Sequence, residues 1–135
     1  MVKKIKINGI VISGNKKGTY FINLPWVKKQ VLEKIGFEPY IGTLNLEIRN
    51  KEKIIDLYNQ KGITIVPEKG YYEGKCFRAF LMKKTNCAVV IPNIPDYPSN
   101  LIEIIAPNNL RNTLGLIDGM KIELIILIEW TYIYK

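Results

Sequence analysis

The segment Gly42-Thr43-Leu44-Asn45-Leu46-Glu47-Ile48 passes from a glycine directly into a short apolar stretch, which predicts a turn followed by a strand over residues 44–48. Thr43 and Asn45 lie two positions apart at the start of this strand, so their side chains project from the same face. A hydroxyl oxygen and an amide oxygen placed in this way are hard neutral ligands for a metal ion. Thr and Asn at such positions also commonly make local turn hydrogen bonds, and the residues alone leave both interpretations open.

Upstream of this segment, residues 3–13 and 19–24 are rich in β-branched and aromatic residues and predict two strands. The polar loop between them, Gly14 to Gly18, contains two glycines and two lysines, which suit either phosphate binding or an ordinary solvated hairpin loop. A helix is predicted from Pro25 to Ile35, ending at Gly36.

Downstream, the pattern predicts a mainly β protein, either a barrel or an α+β fold, with two short helices in total. Strands are expected at about residues 63–66, 75–84, 87–91, 101–106 and 120–133. The proline-rich residues 92–100 predict a loop, and residues 108–114 predict the second helix, closed by Gly115. Residues 50–62 fit either a short helix or an irregular connection.

Two further places suggest chemistry. Glu103 stands among Leu101, Ile102, Ile104 and Ile105, so it lies either on the wet face of an alternating strand or in a pocket, where it would bind a donor group or accept a proton. The helix start Asn108-Asn109-Leu110-Arg111 is either an anion site or a simple cap beside a surface arginine.

Composition limits the classes of function. The 135 residues predict a single domain over residues 1–135, and the net charge of +8 favours an anionic partner. Because the sequence contains no histidine, Ser-His and Cys-His catalysis are excluded, and Cys76 and Cys87 are expected to be reduced and structural. We find no signal peptide and no apolar stretch long enough for a membrane span, which predicts a cytoplasmic protein, expected to be a monomer.

The order of these features resembles one family over nearly the whole chain, the archaeal CTP-dependent riboflavin kinases. The matching segments are Gly9 to Gly14, Gly18 to Phe21 with Leu24, Gly36 to Leu46, Leu101 to Pro107, Leu110-Arg111, and Leu116 to Gly119. The resemblance implies a six-stranded cradle-loop barrel that transfers the terminal phosphate of CTP to the 5′-hydroxyl of riboflavin, giving FMN and CDP.

The resemblance also implies roles for individual residues. Thr43 and Asn45 match the pair that binds Mg²⁺, and Glu103 matches the carboxylate that contacts the flavin and is a candidate general base. The residues that match the nucleotide-binding segments are Gly14, Asn15, Lys16, Lys17, Gly18, Thr19, Tyr20, Asn108, Asn109, Leu110 and Arg111.

Two positions depart from the family pattern. Lys16 stands where the nucleotide loop usually has glycine, and Pro95 stands where a Thr or Ser usually binds the flavin, so either Tyr97 or Ser99 replaces it or the flavin is bound differently. Two alternatives stay open: a basic swapped-hairpin-like barrel that binds DNA, and a flavin- or nucleotide-binding module without turnover. A DNA-binding barrel has no use for Thr43 and Asn45 beside Glu103, so we expect no nucleic-acid partner, and we expect no membrane partner.

Overall fold

A computed structural model describes residues 2–14 and 17–129, and the strands in these residues form one antiparallel sheet closed into a barrel. The strands are β1 (Val2–Ile12), β2 (Leu44–Glu47), β3 (Ile63–Ile65), β4 (Gly74–Leu81), β5 (Thr85–Pro92), β6 (Leu101–Ile105) and β7 (Lys121–Glu129). Their order is β4-β5-β6-β2-β1-β7, and pairing of β7 with β4 closes the ring of six, while β3 adds to the edge of β4. The predicted mainly β, six-stranded barrel is confirmed.

The long strand β1 pairs with both β7 and β2 and so helps to close the barrel. It pairs with β7 from Val2↔Glu129 to Ile10↔Lys121, and its last residues pair with β2 from Ile10↔Glu47 to Ile12↔Asn45. Gly9 lies where the strand passes closest to β2, because a Cβ there would come within 2.8 Å of the Cβ of Leu46. A glycine is therefore required at this position for the barrel to close at its observed width.

Four helices lie around the barrel in the described residues, where the sequence predicted two. They are α1 (Lys17–Ile22), α2 (Pro25–Lys34), α3 (Lys51–Asn59) and α4 (Leu110–Leu114). The two predicted helices correspond to α2 and α4, and the open segment 50–62 contains α3, capped by the side chain of Asn50. No helix in the described part of the chain has the length and apolarity that a membrane crossing requires.

The prediction of a strand over residues 19–24 is wrong, because this segment forms α1. β-Branched and aromatic residues favoured a strand, but Gly18, Phe21 and Ile22 are the buried residues, at the i, i+3, i+4 spacing of one helix face. Tyr20, at the position between, is 66% exposed. The last strand ends within the described residues at Glu129, and the remainder of its predicted range, residues 130–133, lies outside them.

Two apolar cores cover the two faces of the sheet. Alternate residues of β2 and β6, among them Leu44, Leu46, Ile102 and Ile104, pack inside the barrel. Ile105 and Val90 instead pack in a second core against α1 and α2. Since side chains alternate along a strand, Asn45 and Glu103 belong to this outer face, and the helices that cover it also cover the polar residues.

Candidate active site

Glu103 lies at the centre of the polar residues on the outer face. It has 0% of its surface exposed, and its strand register places it between Asn45 of β2 and Val90 of β5. The hydroxyl of Thr43 donates to Oε1 at 2.7 Å, and the hydroxyl of Tyr97 donates to Oε2 at 2.5 Å. The backbone N–H of Gly18 is a third donor. The wet-face interpretation of Glu103 is therefore wrong, and this carboxylate is buried and hydrogen-bonded.

Burial raises the pKa of Glu103 above its ordinary value, because removal from water disfavours the charged form. The hydrogen bonds from Tyr97, Thr43 and the Gly18 backbone act in the opposite direction. They stabilise a carboxylate that would otherwise be costly to bury. The pKa of Tyr97 is also raised, first by its own burial and then by the adjacent carboxylate.

The predicted nucleotide loop approaches Glu103 through Gly18. A Cβ on Gly18 would lie 1.9 Å from Oε2 of Glu103, so only glycine allows this approach of α1 to the carboxylate. Gly14 has a φ of +118°, which turns the chain out of β1 into the loop. Asn15 and Lys16 lie outside the described residues, and Lys17 is the first residue of α1.

Thr43 and Asn45, the predicted metal pair, lie beside this carboxylate. The hydroxyl oxygen of Thr43 is 3.2 Å from that of Thr19 in α1. Asn45 is only 7% exposed, and its amide oxygen Oδ1 is buried without a hydrogen-bond partner. A buried oxygen that lacks a donor is the kind of group that a bound cation satisfies, so these residues fit a divalent metal.

The predicted metal ligands Thr43 and Asn45 both offer uncharged oxygens. Among the described residues no cluster of three or more His, Cys, Asp or Glu side chains can hold a metal ion. Sites with one or two protein oxygens are common for Mg²⁺ when the substrate's phosphates supply the remaining charge.

A small pocket extends from Thr43 toward α4. It has a volume of about 120 Å³ and is bounded by Tyr40, Gly42 and Thr43 on one side and by Asn108 to Arg111 on the other. Asn109 caps α4 by accepting from the N–H of Asn112, and its amide nitrogen lies 3.4 Å from the hydroxyl of Tyr40. Both predicted nucleotide-binding segments thus border the Thr43 region, one through Thr19 and one through this pocket.

Two of the predicted nucleotide-binding residues have structural contacts. The side chain of Leu110 is buried in the barrel core. The guanidinium of Arg111 donates to the carbonyl of Ile12 at 2.9 Å and forms an ion pair with Asp118 at 2.6 Å. Arg111 therefore fastens α4 to the end of β1, just before the loop at Gly14, and Asp118 compensates part of its charge.

Sequence reasoning missed several residues that shape the site. In the sequence Asp118 counted only as part of a segment that matches the family, although the hydrogen bond from Arg111, and then that from Ser13, lowers its pKa. Asn23 donates to the carbonyls of Thr19 and Ile41, both at 2.8 Å, and so joins α1 to the strand entry at Gly42. The contacts of Ser13 with Asp118 and of Asn23 with Ile41 join positions 105 and 18 residues apart, and no local spacing signals them.

Tyr97, which donates to Oε2 of Glu103, borders a cavity of about 770 Å³. This cavity lies between the end of α3, the start of β4 and the loop that follows β5; its lining includes Tyr58, Gly62, Lys75, Ile94 and Ser99. Tyr58 donates to the carbonyls of Leu101 at 2.9 Å and Pro98 at 3.3 Å, and so fastens α3 to the start of β6 and to the loop before it. Of the three loop residues predicted to contact flavin, Tyr97 reaches Glu103, Ser99 lines the cavity, and Pro95 is exposed.

The fold and the site together define a closed β-barrel protein with a polar site outside the barrel, beneath two helices and between a small pocket and a large cavity. The model of the CTP-dependent riboflavin kinase family, described as a domain of unknown function, DUF120, matches residues 11–126. The chain belongs to this family.

Named relatives agree with this assignment. The chain is 38% identical over 130 residues to a riboflavin kinase of Archaeoglobus fulgidus, 34% identical over 137 residues to one of Pyrobaculum islandicum, and 36% identical over 132 residues to one of Ignicoccus hospitalis. These matches cover 92%, 95% and 92% of this chain. The chain spans 55%, 63% and 72% of the length of the three relatives.

Proposed function

We propose that this protein is a CTP-dependent riboflavin kinase, which transfers the terminal phosphate of CTP to the 5′-hydroxyl of riboflavin and yields FMN and CDP. The observation that carries the proposal is the set of donors on Glu103. One carboxylate accepts from Gly18 of the predicted nucleotide loop, from Thr43 of the predicted metal pair, and from Tyr97 at the wall of the large cavity. Glu103 therefore contacts the proposed nucleotide-binding, metal-binding and flavin-binding parts of the site.

Two spaces, one bordered by Thr43 and the other by Tyr97, suit the two substrates. The pocket between Tyr40 and Asn108 to Arg111 borders Thr43, which suits the nucleotide, whose phosphates must lie near the metal ligands. The cavity of about 770 Å³ is within the usual range for a site that encloses a small organic molecule. It is the space for the flavin ring, with the ribityl chain directed toward Tyr97 and Glu103.

Thr43 and Asn45 would hold one Mg²⁺ ion, which when bound would neutralise charge on the nucleotide phosphates. The hydroxyl of Thr43 can donate its hydrogen to Glu103 while its oxygen serves as a ligand, so both contacts are compatible. The unpartnered Oδ1 of Asn45 supports the second ligand. Lys16 and Lys17 would add positive charge beside the phosphates.

Phosphoryl transfer depends mainly on positioning and charge compensation, which these residues can supply without a covalent intermediate. Gly18 brings the nucleotide loop against Glu103, and the Arg111–Asp118 pair fixes the strand end before that loop. Glu103 is the candidate group to take up the proton that leaves the acceptor hydroxyl, since a raised pKa suits a base that works near neutral pH.

The test is to incubate the purified chain with riboflavin, Mg²⁺ and each of CTP, ATP, GTP and UTP in turn, with chromatographic detection of FMN. We expect FMN with CTP, and a loss of most turnover in Glu103→Gln, which keeps the shape of the side chain but removes its charge. Absence of FMN with every donor refutes the kinase assignment. If flavin fluorescence still changes on mixing, the protein binds riboflavin without turnover.

A further inference from the structure

Glu103 is enclosed by the protein on all sides. Its exposed fraction is 0%, and donors from α1, from the entry to β2 and from the loop after β5 surround it. Two carboxylate oxygens offer about four acceptor positions, and three of them have protein donors. An acceptor molecule in the large cavity therefore reaches a different residue before it reaches the carboxylate.

That residue is Tyr97. It lines the cavity and, through its hydroxyl, forms the 2.5 Å hydrogen bond to Oε2 of Glu103. The other loop hydroxyl at this cavity, that of Ser99, belongs to an exposed residue. Tyr97 alone among the described cavity-lining residues both faces the cavity and bonds to the carboxylate.

We propose that Tyr97 is a substrate-positioning residue, whose phenol oxygen accepts a hydrogen bond from the reacting ribityl hydroxyl while its own hydrogen is donated to Glu103. The inference rests on the proposed function and deepens it by naming the group that binds the reacting end of the acceptor. Glu103 then acts on the acceptor through Tyr97.

The chemistry of a phenol held in this way selects the ligand. Because its only hydrogen is committed to a carboxylate, the Tyr97 hydroxyl offers the cavity an acceptor and no donor. Donation to a charged group also strengthens the phenol oxygen as an acceptor. The site therefore favours an alcohol over a carbonyl or an ether at the same place, as a phosphoryl acceptor requires.

The experiment compares three flavins by fluorescence titration: riboflavin, 5′-deoxyriboflavin, which lacks the reacting hydroxyl, and lumiflavin, which lacks the whole ribityl chain. Tyr97→Phe removes the phenol oxygen and keeps the ring. We expect riboflavin affinity to fall about 10-fold in this variant, as the loss of one hydrogen bond predicts. Affinities for 5′-deoxyriboflavin and lumiflavin should change less than about twofold.

Tyr58→Phe is the matched control, because Tyr58 also lines the cavity and fastens the same loop, but its hydroxyl donates to the carbonyls of Leu101 and Pro98. A loss that arises from loosening of the loop should affect all three flavins alike in either variant. Equal losses for the three flavins in Tyr97→Phe therefore overturn the proposal. Tighter riboflavin binding overturns it too, since Tyr97 would then block the site until the acceptor displaces it.

A further measurement needs no variant and so does not depend on whether Tyr97→Phe folds. The wild-type protein should bind 5′-deoxyriboflavin about 10-fold more weakly than riboflavin, and equal affinities contradict the proposal. The two levels of inference fail separately. Flavin binding without FMN formation removes the kinase function, whereas FMN formation with equal losses in Tyr97→Phe removes only the role of Tyr97.

Discussion

Gly18→Ala is a substitution for which the structure reverses the ordinary expectation. Within a helix, alanine is favoured over glycine by about 1 kcal/mol, so a local view of α1 predicts stabilisation. The structure places the new Cβ 1.9 Å from Oε2 and 2.1 Å from Cδ of Glu103. Neither atom can give way freely, because Glu103 is fully buried and fastened by Thr43 and Tyr97.

The magnitude follows from the two contacts that must change. Overpacking of a filled site costs about 1–3 kcal/mol, and loss of a hydrogen bond to a charged group about 1.5–3 kcal/mol. After the helix-propensity gain, we expect Gly18→Ala to lower the free energy of unfolding by about 2–5 kcal/mol. The proposed kinase activity should fall with it, since α1 moves away from the carboxylate.

Urea unfolding followed by circular dichroism measures the change. Gly42→Ala is the matched control for stability, because its new Cβ would meet only the ring of Tyr40 at 3.4 Å, an ordinary contact distance. We expect a change of less than about 1 kcal/mol there. If Gly18→Ala is as stable as wild type or more stable, the close approach of α1 to Glu103 is wrong.

Two other predictions concern the metal pair and the cysteines. Asn45→Ala should change the free energy of unfolding by less than about 1 kcal/mol, because Oδ1 has no protein partner to lose. The same substitution should lower turnover about 100-fold or more. Unchanged turnover at saturating Mg²⁺ would show that the metal is bound elsewhere. Burial raises the pKa values of Cys76 and Cys87 from 9.0 to about 12, so the unfolded chain releases these protons first and stability should fall as the pH rises from about 9 to 12. Denaturant titrations across that range should show a shallower fall in a Cys76→Ala/Cys87→Ala variant, and an identical slope would contradict the burial of the thiols.

Local pattern was sufficient where one periodicity dominated. The helix from Pro25, the strand after Thr43 and the short helix closed by Gly115 follow from apolar spacing and from Pro and Gly at their ends. The same reasoning failed for residues 19–24, because the intrinsic preference of Tyr, Phe and Ile for strands was opposed by packing of Phe21 and Ile22 against the outer face of the barrel. Tertiary packing overrides propensity in short segments such as α1.

The sequence by itself determined the ingredients of the site: a neutral oxygen pair at Thr43 and Asn45, a carboxylate in an apolar strand at Glu103, and a charged glycine loop, in an order that matches one family. It left open whether Glu103 faces water or protein. The tertiary structure decided that question, because strand alternation places Glu103 on the face that α1 and α2 cover, and barrel closure brings Gly18, Thr43 and Tyr97 to it across separations that no local pattern encodes. Burial then made each donor necessary, since an unpaired carboxylate in that place would be too costly to retain.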